Sequence, residues 1–158
     1  MKYLVTGGAG FIGSHLVDKL IEQNHQVVVI DDLSTGKKEN INPKADFYQL
    51  DICDFEKIRP FFKGIDYVFH LAAMPRVQLS IQDPIITSKV NILGTISVFK
   101  AAIDAKVKKI IFISSAAVYG DSKKPLLKES AELKPISPYG LHKLVGEQIA
   151  SLFVNLYK

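Results

Sequence analysis

Tryptophan is absent from the 158 residues, and cysteine occurs once, at Cys53. A single thiol closes no intrachain disulfide and builds no Cys-rich zinc site, so a reducing cytoplasm is the expected compartment and no metal is expected. No uninterrupted apolar run approaches the ~18 residues that span a bilayer, so no membrane association is expected. The start, Met1 to Gly8, turns glycine-rich too early for a signal-peptide apolar region. Ten Gly and seven Pro are too few for a low-complexity or collagen-like chain. Charge is nearly balanced: 20 Lys and Arg face 16 Asp and Glu, for a net +4. The small basic clusters at Lys37-Lys38, Lys106–Lys109 and Lys123-Lys124 carry no interleaved aromatics, so they read as solvated loops and helix ends, with no nucleic-acid partner expected.

What is present is a globular composition, 47% hydrophobic and 23% charged. The length suits one domain, since domains usually run ~100–200 residues. Two periodicities alternate along it. Lys2–Thr6, Gln26–Ile30, Phe47–Leu50, Asp66–His70 and Lys108–Ile113 read as short strands rich in branched or aromatic side chains. Between them, apolar residues recur at helical spacing: Phe11 to Ile21, Phe55 to Phe62 behind Asp54, and Ile85 to about Ala105 behind Asp83-Pro84. Residues 120–137 read as a long polar loop, and Pro138 opens a helix running to the end. Apolar strands alternating with amphipathic helices predict an α/β fold, a doubly wound parallel sheet of the Rossmann type.

Thr6-Gly7-Gly8-Ala9-Gly10-Phe11-Ile12-Gly13 lies between the first strand and the first helix. Glycine permits a tight turn and close approach of backbone to a diphosphate, and a helix N-terminus offers free N–H groups to it. In that context the motif predicts a dinucleotide site over Gly7, Gly10, Phe11, Ile12 and Gly13. No Gly-Lys-Ser/Thr follows, which excludes a P-loop. Asp31-Asp32 ends the second strand, 18 residues after Gly13. A carboxylate there accepts from both ribose hydroxyls and repels a 2′-phosphate, which favours NAD over NADP. Asp31 is the preferred ribose ligand; Asp32 reads equally as a turn residue, and Ser34 with Thr35 adds loop donors.

His70-Leu71-Ala72-Ala73 and Ser114-Ser115 follow the fourth and fifth strands, where ligands bind in open α/β sheets. A lone His is more often a packed or hydrogen-bonded residue than a catalyst, so His70 reads as structural. Tyr139 and Lys143 are four residues apart on one helix face. A phenol titrates near ~10, and a cation beside it stabilises the phenolate, making a usable base at neutral pH.

Together, the stretches Thr6–Leu16, Asp31–Gly36, Asp51-Ile52, His70–Ala73, Asn91–Thr95, Ser114–Gly120 and Ser137–Lys143 resemble the extended short-chain dehydrogenase/reductase family, in its nucleotide-sugar epimerase/dehydratase branch and nearest to the UDP-glucose 4-epimerases. The resemblance implies an NAD cofactor bordered by Asp51 and Ile52 at the adenine and by Leu71, Ala72, Ala73 and Ser114 along its path. It implies that Asn91 holds backbone near the active site; read by itself, Asn91 is equally a helix-interior polar residue. It implies Ser115, Tyr139 and Lys143 as the catalytic set, with Tyr139 the base and Lys143 on the nicotinamide ribose. It implies a UDP-sugar substrate and a homodimer built on the helices starting at Pro84 and Pro138, with Phe99, Leu152 and Phe153 as interface candidates; burial within one copy of the chain is the alternative reading of those three. Dehydratases of the family carry Asp-Glu after the hydroxyl residue; Ala116-Ala117 stands here, so epimerisation or simple oxidoreduction is favoured over loss of water. Family members continue into further strands and a C-terminal substrate lobe, so residues 1–158 are expected to be the NAD-binding domain of a longer enzyme. A catalytically idle NAD-binding module is the alternative expectation.

Overall fold

A computed structural model describes residues 1–122 and 126–157. The Lys123-Lys124 cluster and the last residue of the expected C-terminal helix lie outside them. Five strands, β1 (Lys2–Thr6), β2 (Gln26–Asp31), β3 (Asp46–Gln49), β4 (Tyr67–His70) and β5 (Lys109–Phe112), form one sheet in the order β3-β2-β1-β4-β5. Every pairing is parallel, and Thr6 registers with Ile30 on one side and His70 on the other.

Strand side chains alternate between faces, so β1, β2 and β4 feed two cores. Leu4, Val28, Ile30 and Val68 enter one cluster with Ile58, Phe62, Val98 and Phe99. Val5, Val27 and Val29 enter the other with Val17 and Leu20 of α1 (Phe11–Glu22). Buried apolar runs in β1 and β2 are thus explained by helices on both faces. The strand order reverses direction between β1 and β4, the position where open sheets of this kind leave a crevice at their carboxyl ends.

Several elements differ from the sequence expectation. The helix after Asp54 is α2 (Phe55–Ile58), and it tightens into a 3₁₀ turn at Arg59–Phe62, where Pro60 supplies no N–H for the α pattern. A short helix, α3 (Val77–Gln82), occupies a stretch with no element expected. The long helix from Pro84 comprises α4 (Pro84–Ser88), a π segment (Lys89–Gly94) and α5 (Thr95–Asp104). It spans 21 residues, and an 18-residue stretch within it reaches a mean hydropathy of 1.2, so by length and composition alone it could cross a membrane. Their apolar character has a local cause, since Val98, Phe99, Ala101 and Ala102 fill the core. Phe99 is therefore not available at an interface, and Phe153 packs partly buried against the same cluster; of the three candidates only Leu152 is exposed. The last helix, α6 (Pro138–Leu156), starts as expected: Ser137 Oγ accepts the Gly140 N–H at 3.1 Å and Pro138 fills the first turn.

Candidate active site

A cleft of about 350 Å³ opens at the carboxyl ends of the strands. Its floor is the turn after β1. Gly7 takes φ +76°, a conformation glycine adopts without strain, and a Cβ there would lie 2.6 Å from the Ala72 nitrogen. A Cβ on Gly13 would lie 2.1 Å from the Gly7 carbonyl oxygen. No side chain caps α1 at Gly10. Among the described residues the Phe11, Ile12 and Gly13 N–H groups meet no protein acceptor. Unfilled donors at a helix start, beside backbone too close for any side chain, fit a diphosphate.

Asp31 closes the β2 side. Its carboxylate accepts the Ala9 N–H at 3.0 Å and the Leu33 N–H at 2.9 Å, which ties the glycine turn to the loop after β2. Asp32 and Ser34 also line the cleft, with Asp32 accepting from the Ser34 amide at 2.9 Å and hydroxyl at 2.6 Å.

The other end lies at β5 and α6. Tyr139 is placed by the N-terminus of α6, where its N–H donates to Ser80 Oγ of α3 at 3.1 Å. Lys143 follows one turn later. Its Nζ donates to the Ile113 carbonyl at 2.8 Å and lies 5.0 Å from the Phe112 ring centre and 6.0 Å from that of Tyr139. Burial pushes the ammonium down to about 8. Ser114 lines the cleft and donates its hydroxyl proton to Glu147 Oε1, one further turn along α6.

The cleft thus gathers Gly7, Gly10, Phe11, Ile12, Gly13, Asp31, Asp32, Ser34, Ile52, Leu71, Ala72, Ala73, Ser114, Tyr139 and Lys143. Three expected residues are not in its lining. Asp51 turns its carboxylate to the Cys53 N–H at 2.8 Å. Ser115 caps the 3₁₀ turn Ala116–Tyr119 by accepting the Ala117 N–H at 3.2 Å, an arrangement that leaves its own proton free to donate. Asn91, buried in the π segment, accepts the Met74 N–H at 2.7 Å and donates to the Met74 carbonyl at 3.0 Å. It holds the cleft wall from behind. The sequence reading missed Leu50, Met74, Pro75, Val90 and Ile113, apolar wall residues with no motif to mark them.

His70 is structural, as expected. Thr95 spends its hydroxyl proton on the Asn91 carbonyl at 2.8 Å, so it accepts from His70 Nε2–H at 3.0 Å. His70 Nδ1 then accepts from Thr6 at 2.7 Å, and Thr6 Oγ1 accepts the Ala72 N–H at 3.3 Å. Complete burial pushes the imidazole down to about 3, keeping it neutral. The Cys53 thiol, pushed up to about 12 by burial and by Asp51, is not a nucleophile at neutral pH.

Residues 3–158 match the NAD dependent epimerase/dehydratase family. The chain belongs to that family. It is 48% identical to a putative UDP-glucose 4-epimerase of Methanocaldococcus jannaschii, over 98% of this chain and 51% of that protein. Its fold superposes with a TM-score of 0.96 on a Thermotoga maritima UDP-glucose 4-epimerase solved with UDP-glucose, at 44% identity over 99% of this chain and 52% of that one. A Thermus thermophilus UDP-glucose 4-epimerase in complex with NAD gives 0.95 and 36% identity, with 99% and 52% coverage. The chain therefore spans about half the length of the relatives it matches.

Proposed function

We propose that this chain is the NAD-binding portion of a cytoplasmic nucleotide-sugar 4-epimerase of the UDP-glucose/UDP-galactose type. The observation that carries the reading is the convergence of the glycine turn, Asp31, Ser114, Tyr139 and Lys143 on one cleft. The free N–H groups of Phe11, Ile12 and Gly13 hold the diphosphate, Asp31 the adenosine ribose, and Lys143 the nicotinamide ribose. Ile52 and the nearby Asp51 border the adenine, and Leu71, Ala72 and Ala73 line the path between the two ends. NAD, when bound, supplies a reversible hydride acceptor.

The chain's own residues handle the proton. The Tyr139 phenolate, stabilised by the Lys143 ammonium one turn away, takes the proton of the sugar 4-hydroxyl and later returns it to the transient 4-keto sugar. The Ser115 hydroxyl steadies the sugar oxygen with its unspent proton. Ala116 and Ala117 offer no acid or base for losing water, which separates this reading from a dehydratase. The other partner is a second copy of the chain, met through the helices starting at Pro84 and Pro138, where Ile85, Leu93 and Leu152 are exposed.

A melting curve with and without NAD tests the cofactor site, since a ligand that binds only the folded state raises the transition by mass action. A rise is expected; none at millimolar NAD overturns the reading. Incubation with UDP-galactose and assay for UDP-glucose tests turnover. Little or none is expected from residues 1–158 alone, which span about half the length of the relatives they match.

A further inference from the structure

Leu71 to Met74 wall the cleft between its two ends, and the wall is held from behind at two points that both lead to Asn91. One is direct: the Asn91 amide bonds both backbone groups of Met74. The other runs from the Asn91 carbonyl through Thr95, His70 and Thr6 to the Ala72 N–H. Asn91 sits in the π segment, a wider turn that often marks a functional position.

His142 holds Asn91 in turn. The ring is 3% exposed, in α6 between Tyr139 and Lys143. Its Nδ1 lies 3.4 Å from Asn91 Nδ2, and its Nε2 lies 2.9 Å from Ser88 Oγ. The two bonds to Met74 fix which way the Asn91 amide points, so Nδ2 presents its second proton to His142. An amide nitrogen only donates; Nδ1 must therefore accept, and the ring carries its proton on Nε2, donating to Ser88. That tautomer cannot take a proton from Ser88, so the pair is not a nucleophile and its base. Burial lowers the imidazole pKa and favours the neutral ring the arrangement needs.

We propose that His142 is a positioning residue: through Asn91 it sets the Met74 wall of the cleft on the side of Tyr139 and Lys143. The inference rests on the NAD reading for its binding consequence, but not for the wall itself. The test compares the full chain with His142→Leu and His142→Asn. An Asn side-chain oxygen falls where imidazole Nδ1 sits and restores the acceptor for Asn91, whereas Leu offers none. Two measurements are made on each protein: hydrogen exchange at the Met74 amide, and affinity for NAD and for AMP, which lacks the nicotinamide half.

His142→Leu is expected to speed Met74 exchange about tenfold and weaken NAD about three- to tenfold, with AMP unchanged. His142→Asn is expected to stay close to wild type in both. Unchanged Met74 exchange in His142→Leu overturns the proposal. So does His142→Asn behaving like Leu, or NAD and AMP weakening alike, which marks a general loss of fold. Were wild type to bind no NAD while Met74 exchange still followed His142, the cofactor reading would fail and the clamp would stand.

Discussion

Lys143 Nζ lies 6.0 Å from the centre of the Tyr139 ring while donating at 2.8 Å to the Ile113 carbonyl. The ammonium is thus fixed by the end of β5 rather than by an acid, and no carboxylate neutralises it in that contact. Helix spacing supplies the shared face, and the Ile113 carbonyl just after β5 supplies the position. A cation so held serves a phenolate better than one paired to a carboxylate.

Its burial has a measurable consequence. With a folded pKa of about 8 against an ordinary 10.5, the folded chain sheds the Lys143 proton first as pH rises. Between those values the unfolded state binds more protons, so stability rises with pH. Relative to Lys143→Met, the wild-type chain should gain up to ~1.4 kcal/mol per pH unit from about pH 8 upward. Urea unfolding at pH 7.5, 8.5 and 9.5 measures it. Parallel stabilities for the two proteins would show an ammonium still in contact with water.

The glycines of the turn should separate by role. A Cβ on Gly13 meets the Gly7 carbonyl oxygen at 2.1 Å, whereas one on Gly10 meets it at 3.3 Å. Gly13→Ala should destabilise the fold by on the order of 2–4 kcal/mol. Gly10→Ala should fold within ~1 kcal/mol of wild type yet lose NAD affinity by about tenfold or more, because its methyl group stands where the diphosphate approaches. Thermal melts with an NAD titration decide it. Normal NAD binding by Gly10→Ala would move the diphosphate elsewhere.

What could be read before the structure was local. The glycine turn, Asp31 and the Tyr139–Lys143 spacing lie within single strand–turn–helix units, and all three reached the cleft. What escaped depends on distant partners. α3 is six residues long, and its Ser80 is anchored 59 residues away at Tyr139. Asn91 finds Met74 17 residues back, and no periodicity encodes that meeting. Phe99 reads from sequence as either an interface or a core residue, because an aromatic on an apolar helix looks the same whether a core or a partner covers it; here His70, Phe112 and Phe153 do.

The buried chain through His70 predicts an acid response. Its folded pKa near 3 against an ordinary 6.5 means the unfolded state takes up the proton first as pH falls. Stability present above about 6.5 is therefore lost on acidification through that window, at up to ~1.4 kcal/mol per unit from this group. His70→Gln should show a shallower loss between pH 6.5 and 4.5, since the carboxylates common to both proteins cancel. Its stability at pH 7 should fall by about 1–3 kcal/mol, because Gln cannot span both Thr6 and Thr95. Denaturant unfolding across that range checks both; equal acid slopes would place the His70 ring in contact with water.

Asp31 carries two jobs at once, and only one concerns the ligand. Removing its carboxylate orphans the Ala9 and Leu33 N–H groups, so Asp31→Ala should lose about 1–3 kcal/mol of stability whatever binds. A weaker NAD shift in that variant is therefore ambiguous. The ratio of NAD to NADP affinity is not, because damage to the turn affects both ligands. A carboxylate facing the added 2′-phosphate repels it by on the order of 1–4 kcal/mol at partly screened contact, so wild type should prefer NAD by at least about tenfold. Asp31→Asn, which removes the charge and keeps one acceptor oxygen, should shrink that preference even as both affinities drop. Calorimetric titration with each dinucleotide measures the ratio, and an unchanged ratio would take the ribose away from Asp31 and leave it only the glycine turn to hold.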